Sequence, residues 1–329
     1  MAKLEVRIVQ FVAVLALGFG ARSVYQGCQA RADSLDDEQR KALSAHVGSD
    51  ERVYREPLLG AGAAGNAIDV YTQAMKLTAD GDESKQRDQR VAALVVEGAS
   101  RRHRQGWTGE RAITSWSEMV TTTRALRRAA ARKRALGDAS TAAKYLVASH
   151  RLWQDLAHSG PSVYAVMGAR EDLDSLAEIR DMHAKGELNA ATRRLLAEAY
   201  ARLVRTRTRA TQIVRNEIRA MFAFILVADA KGGAAWEGEM VGGMKQAAAK
   251  RGGGLRGMAR VTDRLRQLAG RHQSPDGISS HYWGRSFVRG CVRELGHSHF
   301  CDGVGSAVSG NELRNAEFRI LAAEFRLAR

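Results

Sequence analysis

The stretch 189-NAATRRLLAEAYARLVRTRTRATQIVRNEIRAMFAFILVADA-230 decides the fold class of this chain. Apolar residues recur in it at helical steps and trace one face, namely Leu196, Tyr200, Leu203, Ala210, Val214, Ile218, Met221 and Ile225. This spacing predicts an amphipathic helix from Asn189 toward Ala230. Such a helix of about 40 residues would be about 60 Å long. A kink is allowed near 205-RTRTRAT-211, because Arg207 interrupts the apolar stripe and threonine is a weak helix former.

Helical periodicity continues on the amino-terminal side of this stretch. We predict helices from Ile68 to Leu77, from Val91 into 101-RRHRQGW-107, and over Trp116–Leu136, Ala139–His158 and Ser162–Ala184. The chain has 3 prolines, and long helices tolerate few. The segment 137-GDASTAAKYL-146 looks locally like a tetratricopeptide repeat, but no period of about 34 residues recurs. The pattern therefore predicts a mainly α protein, an irregular bundle of antiparallel helices with one long helix.

Composition shifts along the chain predict five regions. Residues 1–25 form a signal peptide or anchor, 26–64 a tether and loop, 65–231 the bundle, 232–257 a glycine-rich linker and 258–329 a small carboxyl-terminal region. In that last region we expect a short basic helix, the loop 270-GRHQSPDGISSHYWG-284 and a closing amphipathic helix over 311–329. Its apolar side should pack on the bundle through Leu313, Ala316, Phe318, Ile320, Leu321, Phe325 and Leu327.

The amino end indicates export or membrane anchoring. Lys3 and Arg7 precede Ile8 to Ala21, which is apolar apart from Gln10 and matches a secretory apolar core better than a full span of about 20 residues. An uncleaved anchor, a cleaved signal and lipidation at Cys28 remain open, and a buried amino-terminal helix is the alternative. We predict a protein anchored in the bacterial inner membrane with its body facing the periplasm, or an exported one.

The segment 53-VYREPLLGAGAAGNAIDVYTQAM-75 contains G-x-G-x-x-G at Gly60, Gly62 and Gly65. A dinucleotide site would need a buried strand before the glycines and a second strand after the helix. Pro57 indicates an extended loop before them, and no second strand is apparent behind 79-ADGDES-84. We therefore predict a flexible glycine–alanine loop followed by a helix that Asn66 caps.

The segment 291-CVRELGHSHFCDG-303 offers three interpretations. Cys291, His297, His299 and Cys301 are residue types that zinc accepts, although their spacing is unusual for a zinc finger. The two cysteines could instead form a disulfide, which an exported chain permits, or stay as free thiols. We favour the Cys291–Cys301 disulfide, with no metal and no cofactor, and keep the zinc set as an alternative.

The formal net charge of +15 indicates an anionic partner. Arginines and lysines recur at helical spacings in two clusters, and the first cluster, from Arg124 to Arg134, contains no acidic residue. The predicted basic surface comprises Arg124, Arg127, Arg128, Arg132, Lys133, Arg134, Arg202, Arg205 and Arg209. An envelope protein with such faces would bind anionic lipid or envelope polymer, or another envelope protein, whereas a cytosolic one would bind nucleic acid through phosphate contacts.

The motifs Y-R-x-P-L at Tyr54–Leu58 and G-N-A-x-x-x-Y at Gly65–Tyr71, with the apolar start and the arginine-rich closing helix, are similar to a loose group of bacterial envelope proteins. The group has no known activity, so the resemblance implies no catalytic residue. Taken together, the sequence predicts a non-catalytic, membrane-anchored binding or scaffolding protein. A zinc-binding protein or metallohydrolase and a basic nucleic-acid-binding protein are the alternatives.

Overall fold

The computed structural model describes residues 53–60, 62–79, 84–105, 116–160, 162–217, 246–253, 280–295 and 298–327, with scattered positions from 257 to 268. Long helices dominate this part of the chain. They are α1 (Ala67–Ala79), α2 (Lys85–Ala99), α3 (Trp116–Ala135), α4 (Ala139–Ser159), α5 (Ser162–Ala184), α6 (Ala190–Arg205), α7 (Ser280–Leu295) and α8 (Ser298–Leu327). The predicted mainly α bundle is confirmed.

Side-chain caps start several of these helices where the sequence predicts them. Asp138 accepts a hydrogen bond from the backbone N–H of Thr141 at 3.0 Å, which begins α4. Asn189 accepts from the N–H of Thr192 at 2.8 Å, which begins α6. These carboxylate and amide oxygens satisfy backbone donors that the first helical turn leaves unpaired. The helix boundaries in the middle of the chain are therefore encoded locally.

Helix α4 lies at the centre of the bundle. It contacts α2, α3, α5 and α6. Its Trp153 is fully buried and donates from the indole Nε1 to the Thr123 hydroxyl at 2.9 Å. A buried indole is stable where its N–H has such a partner. From this central position α4 contributes several of the buried polar groups described below, among them His150, Arg151 and Asp155.

A small three-stranded sheet covers one end of the bundle. Strands β1 (Val53–Arg55), β2 (Ala63–Asn66) and β3 (Arg101–Gln105) lie in the order β1-β3-β2. Strand β3 pairs antiparallel with β1 and parallel with β2. The prediction of a helix running into 101-RRHRQGW-107 was wrong, since α2 ends at Ala99. The backbone of this segment pairs with two neighbouring strands, and this pairing outweighs its helix propensity.

The predicted long helix from Asn189 to Ala230 is interrupted. Helix α6 ends at Arg205, residues 206–209 are not helical, and helical backbone resumes over 210–217. The break lies where a kink was allowed, and tertiary contacts stabilise it. Gln154 donates to the carbonyl of Leu203 at 2.8 Å, and Asn311 donates to that of Thr208 at 2.8 Å. The remainder of the predicted helix lies outside the described residues.

The carboxyl-terminal region is more helical than predicted. Helix α7 begins at Ser280, inside the predicted loop, and the 30-residue α8 is the longest of the helices defined above. A disulfide joins Cys291 of α7 to Cys301 of α8, with 5.6 Å between their α-carbons. The predicted disulfide is thus present, and it closes a helical hairpin instead of pinning a loop.

Helix α8 packs against α5 and α6, but not through the whole predicted apolar side. Leu313 and Ile320 are 46% and 47% exposed and Leu327 is 86% exposed, so their predicted packing was wrong. The buried face instead combines polar and apolar residues at helical spacing: Asn311, Arg314, Asn315, Phe318, Leu321, Ala322 and Phe325. Because the buried polar residues of this face are not hydrophobic, apolar periodicity could not predict their burial.

A buried ionic network attaches α8 to α4 and α5. Asp172 accepts from Arg314 Nη1 at 3.2 Å and lies 2.7 Å from Nδ1 of His150, with all three side chains fully buried. Arg314 also donates to the Asn311 amide oxygen at 2.5 Å. Burial lowers the pKa of Arg314, while the Asp172 carboxylate opposes this effect. The network couples residues from three helices at one point.

The region boundaries predicted from composition are described only in part. The predicted signal or anchor, residues 1–25, and residues 26–52 lie outside the described residues, as does most of the predicted linker over 232–257. In the predicted tether, residues 53–55 and 63–64 belong to strands, and Leu58 and Leu59 are buried in the core. None of the helices in the described part of the chain is long and apolar enough to span a membrane.

Candidate functional site

The basic cluster predicted on α3 is an ion-paired seam between helices. Arg128 makes two hydrogen bonds of 2.9 Å to the Asp88 carboxylate, and Arg132 adds one of 2.7 Å. The side chain of Asp88 is 2% exposed. Burial raises the pKa of Asp88, but Arg128 and Arg132 outweigh burial and hold it below its usual value. These two cations stabilise the packing of α3 on α2.

The other α3 cations of the predicted basic surface also meet acidic groups. Arg127 contacts Asp174 and Glu178 at 2.9 and 3.0 Å, and Arg134 contacts Asp181 and Glu187 at 2.6 and 2.7 Å. Lys133 lies 3.8 Å from Asp138. Arg124 is exposed. The acidic partners come from distant parts of the sequence, so most of this cluster's charge is neutralised in the fold.

The cysteine–histidine segment is a covalent link in the described structure. Cys291 and Cys301 are fully buried and bonded to each other. His297 and the side chain of His299 lie outside the described residues. No group of metal-ligating side chains is found among the residues that the structure describes. Zinc is held by thiolates, so the disulfide withdraws two of the four ligands of the alternative zinc set.

Three other arginines of the predicted surface lie at the end of α6 and in the turn that follows it. Arg202 and Arg205 line a cleft of about 640 Å³, and Arg209 is exposed outside it. The cleft lies between this helix end, α4 and the strand-and-glycine segment. The residues that line it are Glu56, Pro57, Gly60, Gly62, Ala64, Gly65, Arg102, Arg151, Arg202, Arg205 and Thr206.

Two of the cleft arginines are held in place by hydrogen bonds to backbone carbonyls. Arg151 donates from Nη2 to the carbonyl of Glu56 at 2.9 Å. Arg202 donates from Nη1 to the carbonyls of Pro57 and Leu58 at 3.2 and 3.4 Å. A guanidinium carries five N–H donors in a rigid fork, so each arginine keeps donors beyond these contacts. Both cations are therefore positioned before any ligand arrives.

Arg102 and Arg205 complete the basic lining from the exposed rim. Arg102 lies on β3 with its Nε 3.9 Å from Oε2 of Glu56, and both side chains are more than half exposed. Arg205 closes the last turn of α6 and is exposed. The described lining thus contains four arginines and one carboxylate. Arg151 is buried and paired with Asp155 behind the lining, so the accessible positive charge comes from Arg102, Arg202 and Arg205. A cleft with one dominant sign of charge concentrates the electrostatic potential and attracts anions.

The glycine segment forms the wall opposite the arginines. Gly62 and Gly65 have φ angles of 85° and 95°, in the region that favours glycine. A Cβ at Gly65 would lie 2.6 Å from Nη1 of Arg101, and one at Gly62 would lie 3.1 Å from Pro57. Gly60 and Gly62 lie in the loop between β1 and β2, and Gly65 lies within β2, so no glycine turn connects a strand to a helix. A second strand does follow the helices, contrary to the prediction, since β3 pairs parallel with β2, but without the glycine turn the dinucleotide-binding arrangement is not formed. Asn66 accepts from the N–H of Ile68 at 3.4 Å, as predicted for a cap.

A buried charge network supports the base of the cleft. Asp155 is fully buried and accepts from Arg151 Nε at 2.8 Å, from Arg55 Nη1 at 3.2 Å and from the Tyr71 hydroxyl at 3.2 Å. Nδ1 of His103 lies 3.8 Å from the same carboxylate. Burial raises the pKa of Asp155, but the neighbouring cations, chiefly Arg151, outweigh burial and hold this pKa below its usual value.

Burial shifts the partners of Asp155 toward their neutral forms. It lowers the pKa of Arg55 to about 9 and that of His103 to about 4, with Asp155 opposing both shifts. It raises the pKa of the Tyr71 hydroxyl well above the usual value, and Asp155 adds to that rise. Arg151 connects this buried anion to the cleft, because it donates both to Asp155 and to the carbonyl of Glu56.

Sequence reasoning identified Arg202 and Arg205 but missed Arg102, Arg151 and Glu56. The basic segment containing Arg102 was predicted as the end of a helix. Arg151 stands in the apolar window 146-LVASHRLWQDLA-157, with Asp155 four residues later. A charged pair at this spacing within a buried helical face is the signal that could have indicated it.

Comparison of the chain with protein-family models, curated proteins and solved structures found no match. The resemblance to a group of envelope proteins stays a prediction, and the function is argued from the cleft.

Proposed function

We propose that the protein is a non-catalytic binding module that holds an anionic ligand in the arginine-lined cleft. The observation that carries this proposal is the convergence of Arg102, Arg151, Arg202 and Arg205 on one concave surface of about 640 Å³. Arginine suits phosphate and carboxylate ligands because its planar fork can donate two parallel hydrogen bonds to them. The α3 cluster is less suited, since its cations are mostly paired with carboxylates.

The composition of the lining favours binding over catalysis. Its described side chains comprise four arginines, one carboxylate, one threonine hydroxyl and otherwise proline, alanine and glycine. Arginine stays protonated and does not exchange protons in general acid–base steps. Thr206, which follows the last residue of α6, donates its hydroxyl hydrogen to the carbonyl of Arg202 in that helix at 2.9 Å. These groups offer charge and hydrogen-bond donors to a ligand.

The proposal includes the predicted location of the protein at the bacterial inner membrane. The apolar segment Ile8–Ala21 would anchor the chain at the inner membrane, with the cleft facing the periplasm. The buried Cys291–Cys301 disulfide supports this setting, because disulfides persist in oxidising compartments and are rare in the cytosol. The anionic partner would then be a lipid head group or an envelope polymer.

Titration calorimetry with inorganic phosphate and sulfate tests the cleft. We expect the wild-type chain to bind phosphate, and Arg205→Gln to weaken binding about tenfold, the scale of one charged hydrogen bond. Arg209→Gln is the matched control, because Arg209 is an exposed arginine of the adjoining turn that does not line the cleft. A wild-type chain that binds neither anion, or equal loss in the two variants, would refute the proposal.

A further inference from the structure

We infer that the ligand of the cleft is a phosphorylated polyol: a phosphate group bonded to a small aliphatic unit that carries free hydroxyls. This inference rests on the proposed function and specifies its ligand. It combines three properties of the described lining, which are a cluster of arginines, one exposed carboxylate at the rim and the lack of an aromatic surface. Each property selects one part of the ligand.

The arginines select the phosphate. Arg202 is fixed by its carbonyl contact at 3.2 Å, so a phosphate would meet a guanidinium group that is already ordered. Arg151 is fixed at 2.9 Å at the buried base of the cleft, where it is also paired with Asp155. Arg205 projects from the same helix as Arg202, three residues later, and therefore lies on the same side of α6. Tetrahedral phosphate offers several acceptor oxygens, which matches donors that converge from two helices and β3.

Glu56 selects hydroxyl groups. Its backbone carbonyl is held by Arg151, while its carboxylate is 65% exposed at the rim. An ionised carboxylate can only accept hydrogen bonds, so it suits a ligand that donates O–H groups beside its phosphate. The same charge repels a second phosphate or carboxylate. A ligand with one anionic group and neighbouring hydroxyls therefore suits both the arginines and the Glu56 carboxylate.

The size and surface of the cleft disfavour nucleotides and nucleic acid. A volume of about 640 Å³ lies within the range of sites that enclose a whole small molecule, so the cleft exceeds what one phosphate needs. No aromatic side chain occurs among the described residues that line it. Single-stranded nucleic acid usually stacks its bases on aromatic rings along an extended basic groove. A small aliphatic polyol needs no such platform.

The test compares the affinities for sn-glycerol 3-phosphate, inorganic phosphate and AMP by titration calorimetry. We expect the wild-type chain to bind glycerol 3-phosphate about tenfold more tightly than phosphate, the scale of one or two added hydrogen bonds. Glu56→Ala should abolish this preference without weakening phosphate binding, since it removes a negative charge. Glu198→Ala is the control, because Glu198 is an exposed carboxylate on α6 outside the cleft.

The outcomes separate this inference from the proposed function. Equal affinity for phosphate and glycerol 3-phosphate, or a preference that survives Glu56→Ala, would overturn the inference and leave phosphate binding in the cleft intact. Tighter binding of AMP or of an oligonucleotide would overturn it in favour of nucleic acid. If the wild-type chain binds none of the tested anions, the proposed function itself is refuted.

Binding to lipid vesicles distinguishes a phosphorylated polyol that is a lipid head group from one that is free or carried by a polymer. Phosphatidylglycerol presents a phosphate with a glycerol unit, and phosphatidylserine carries the same net charge without the free glycerol hydroxyls. The ligand would be a lipid head group if more protein floats with phosphatidylglycerol vesicles than with phosphatidylserine vesicles, and if Glu56→Ala removes this difference. Equal flotation with both lipids, together with a Glu56-dependent preference for soluble glycerol 3-phosphate, would identify a free or polymer-borne ligand.

Discussion

Asp155 organises the end of the bundle on which the cleft is built. Its carboxylate is fully buried among Arg55, Arg151 and Tyr71, each within 3.2 Å. Two buried cations and one buried anion remain tolerable because each guanidinium meets an oxygen at hydrogen-bond distance. Removal of the anion would leave both cations uncompensated. The buried Asp155 ion pairs, which the fold needs for its stability, therefore lie next to the proposed binding surface.

We predict that Asp155→Asn lowers the free energy of unfolding by about 3–5 kcal/mol, the usual cost of breaking a buried ion pair from one side. Urea denaturation of the purified chain measures it. Asp181→Asn is the control and should change stability much less, since Asp181 contacts Arg134 and Lys185 at a partly exposed position where solvent weakens ion pairs. Similar losses in both variants would contradict the buried network.

The burial of His103 predicts a dependence of stability on pH. In the unfolded chain the imidazole has its ordinary pKa of 6.5, whereas burial lowers this pKa in the fold to about 4. Between these values the unfolded state binds more protons, so acidification favours unfolding. This contribution is complete above about pH 6.5 and is lost progressively toward pH 4; at 1.36 kcal/mol per pKa unit it amounts to about 3 kcal/mol.

Urea denaturation at a series of pH values measures this dependence. In His103→Gln the slope of the unfolding free energy between pH 4 and 6.5 should decrease, because the replaced side chain no longer titrates. His158, whose pKa burial also lowers well below 6.5, would account for slope that remains. A slope unchanged from wild type in His103→Gln would show that His103 is accessible to protons in the fold.

At the scale of elements, α8 shows that helical spacing and hydrophobicity carry different information. Its buried face follows helical periodicity, but half of that face is polar because Arg314 pairs with Asp172 and Asn311 bonds the carbonyl of Thr208. Its buried apolar half includes Phe318, whose ring lies 5.4 Å from that of Tyr200 and 5.1 Å from that of His150. These contacts fix the rotation of α8 about its own axis.

We predict that Phe318→Ala costs about 3–5 kcal/mol of unfolding free energy, through lost burial and the cavity left behind. Ile320→Ala on the same helix should cost less than about 1 kcal/mol, because Ile320 is 47% exposed. Thermal or urea denaturation of the two variants compares them directly. A larger loss for Ile320→Ala would mean that α8 presents the opposite face to the bundle.

For the whole molecule, charge is arranged so that most of α3 is neutralised while the cleft stays basic. Arg127, Arg128, Arg132 and Arg134 each contact a carboxylate from another helix or its end. The net charge of +15 therefore does not describe a uniformly cationic surface. The proposed envelope location also determines the state of the disulfide, because the compartment decides whether the thiols of Cys291 and Cys301 are oxidised.

We predict that the full chain, expressed in a bacterium, sediments with membranes and contains oxidised Cys291 and Cys301. Deletion of residues 1–25 should release it into the cytosol with reduced thiols, because the reducing pool there keeps cysteines unpaired. Fractionation followed by thiol alkylation under denaturing conditions measures both properties. Cys28→Ser is the control for alkylation outside the pair. A full-length chain in the cytosol with both thiols reduced would contradict the location and the disulfide together.

Local sequence determined the helices and the residues that begin them. Apolar periodicity and the caps Asn66, Asp138 and Asn189 depend on neighbours a few residues away, so they could be recognised without the fold. The close spacing of Cys291 and Cys301 likewise allowed the disulfide to be predicted. Short-range interactions of this kind are encoded in short windows.

Only the tertiary structure decided which charges pair and where a binding surface forms. Arg128 meets Asp88 across 40 residues, and Arg55 meets Asp155 across 100. The cleft likewise combines Glu56, Arg102, Arg151 and Arg205 from four separate segments. Hydrophobic spacing specifies which face of an element is buried but not which partner it meets, and electrostatic pairing depends on those distances. The sequence therefore identified a basic helical protein, whereas the fold separated its neutralised arginines from those that line the cleft.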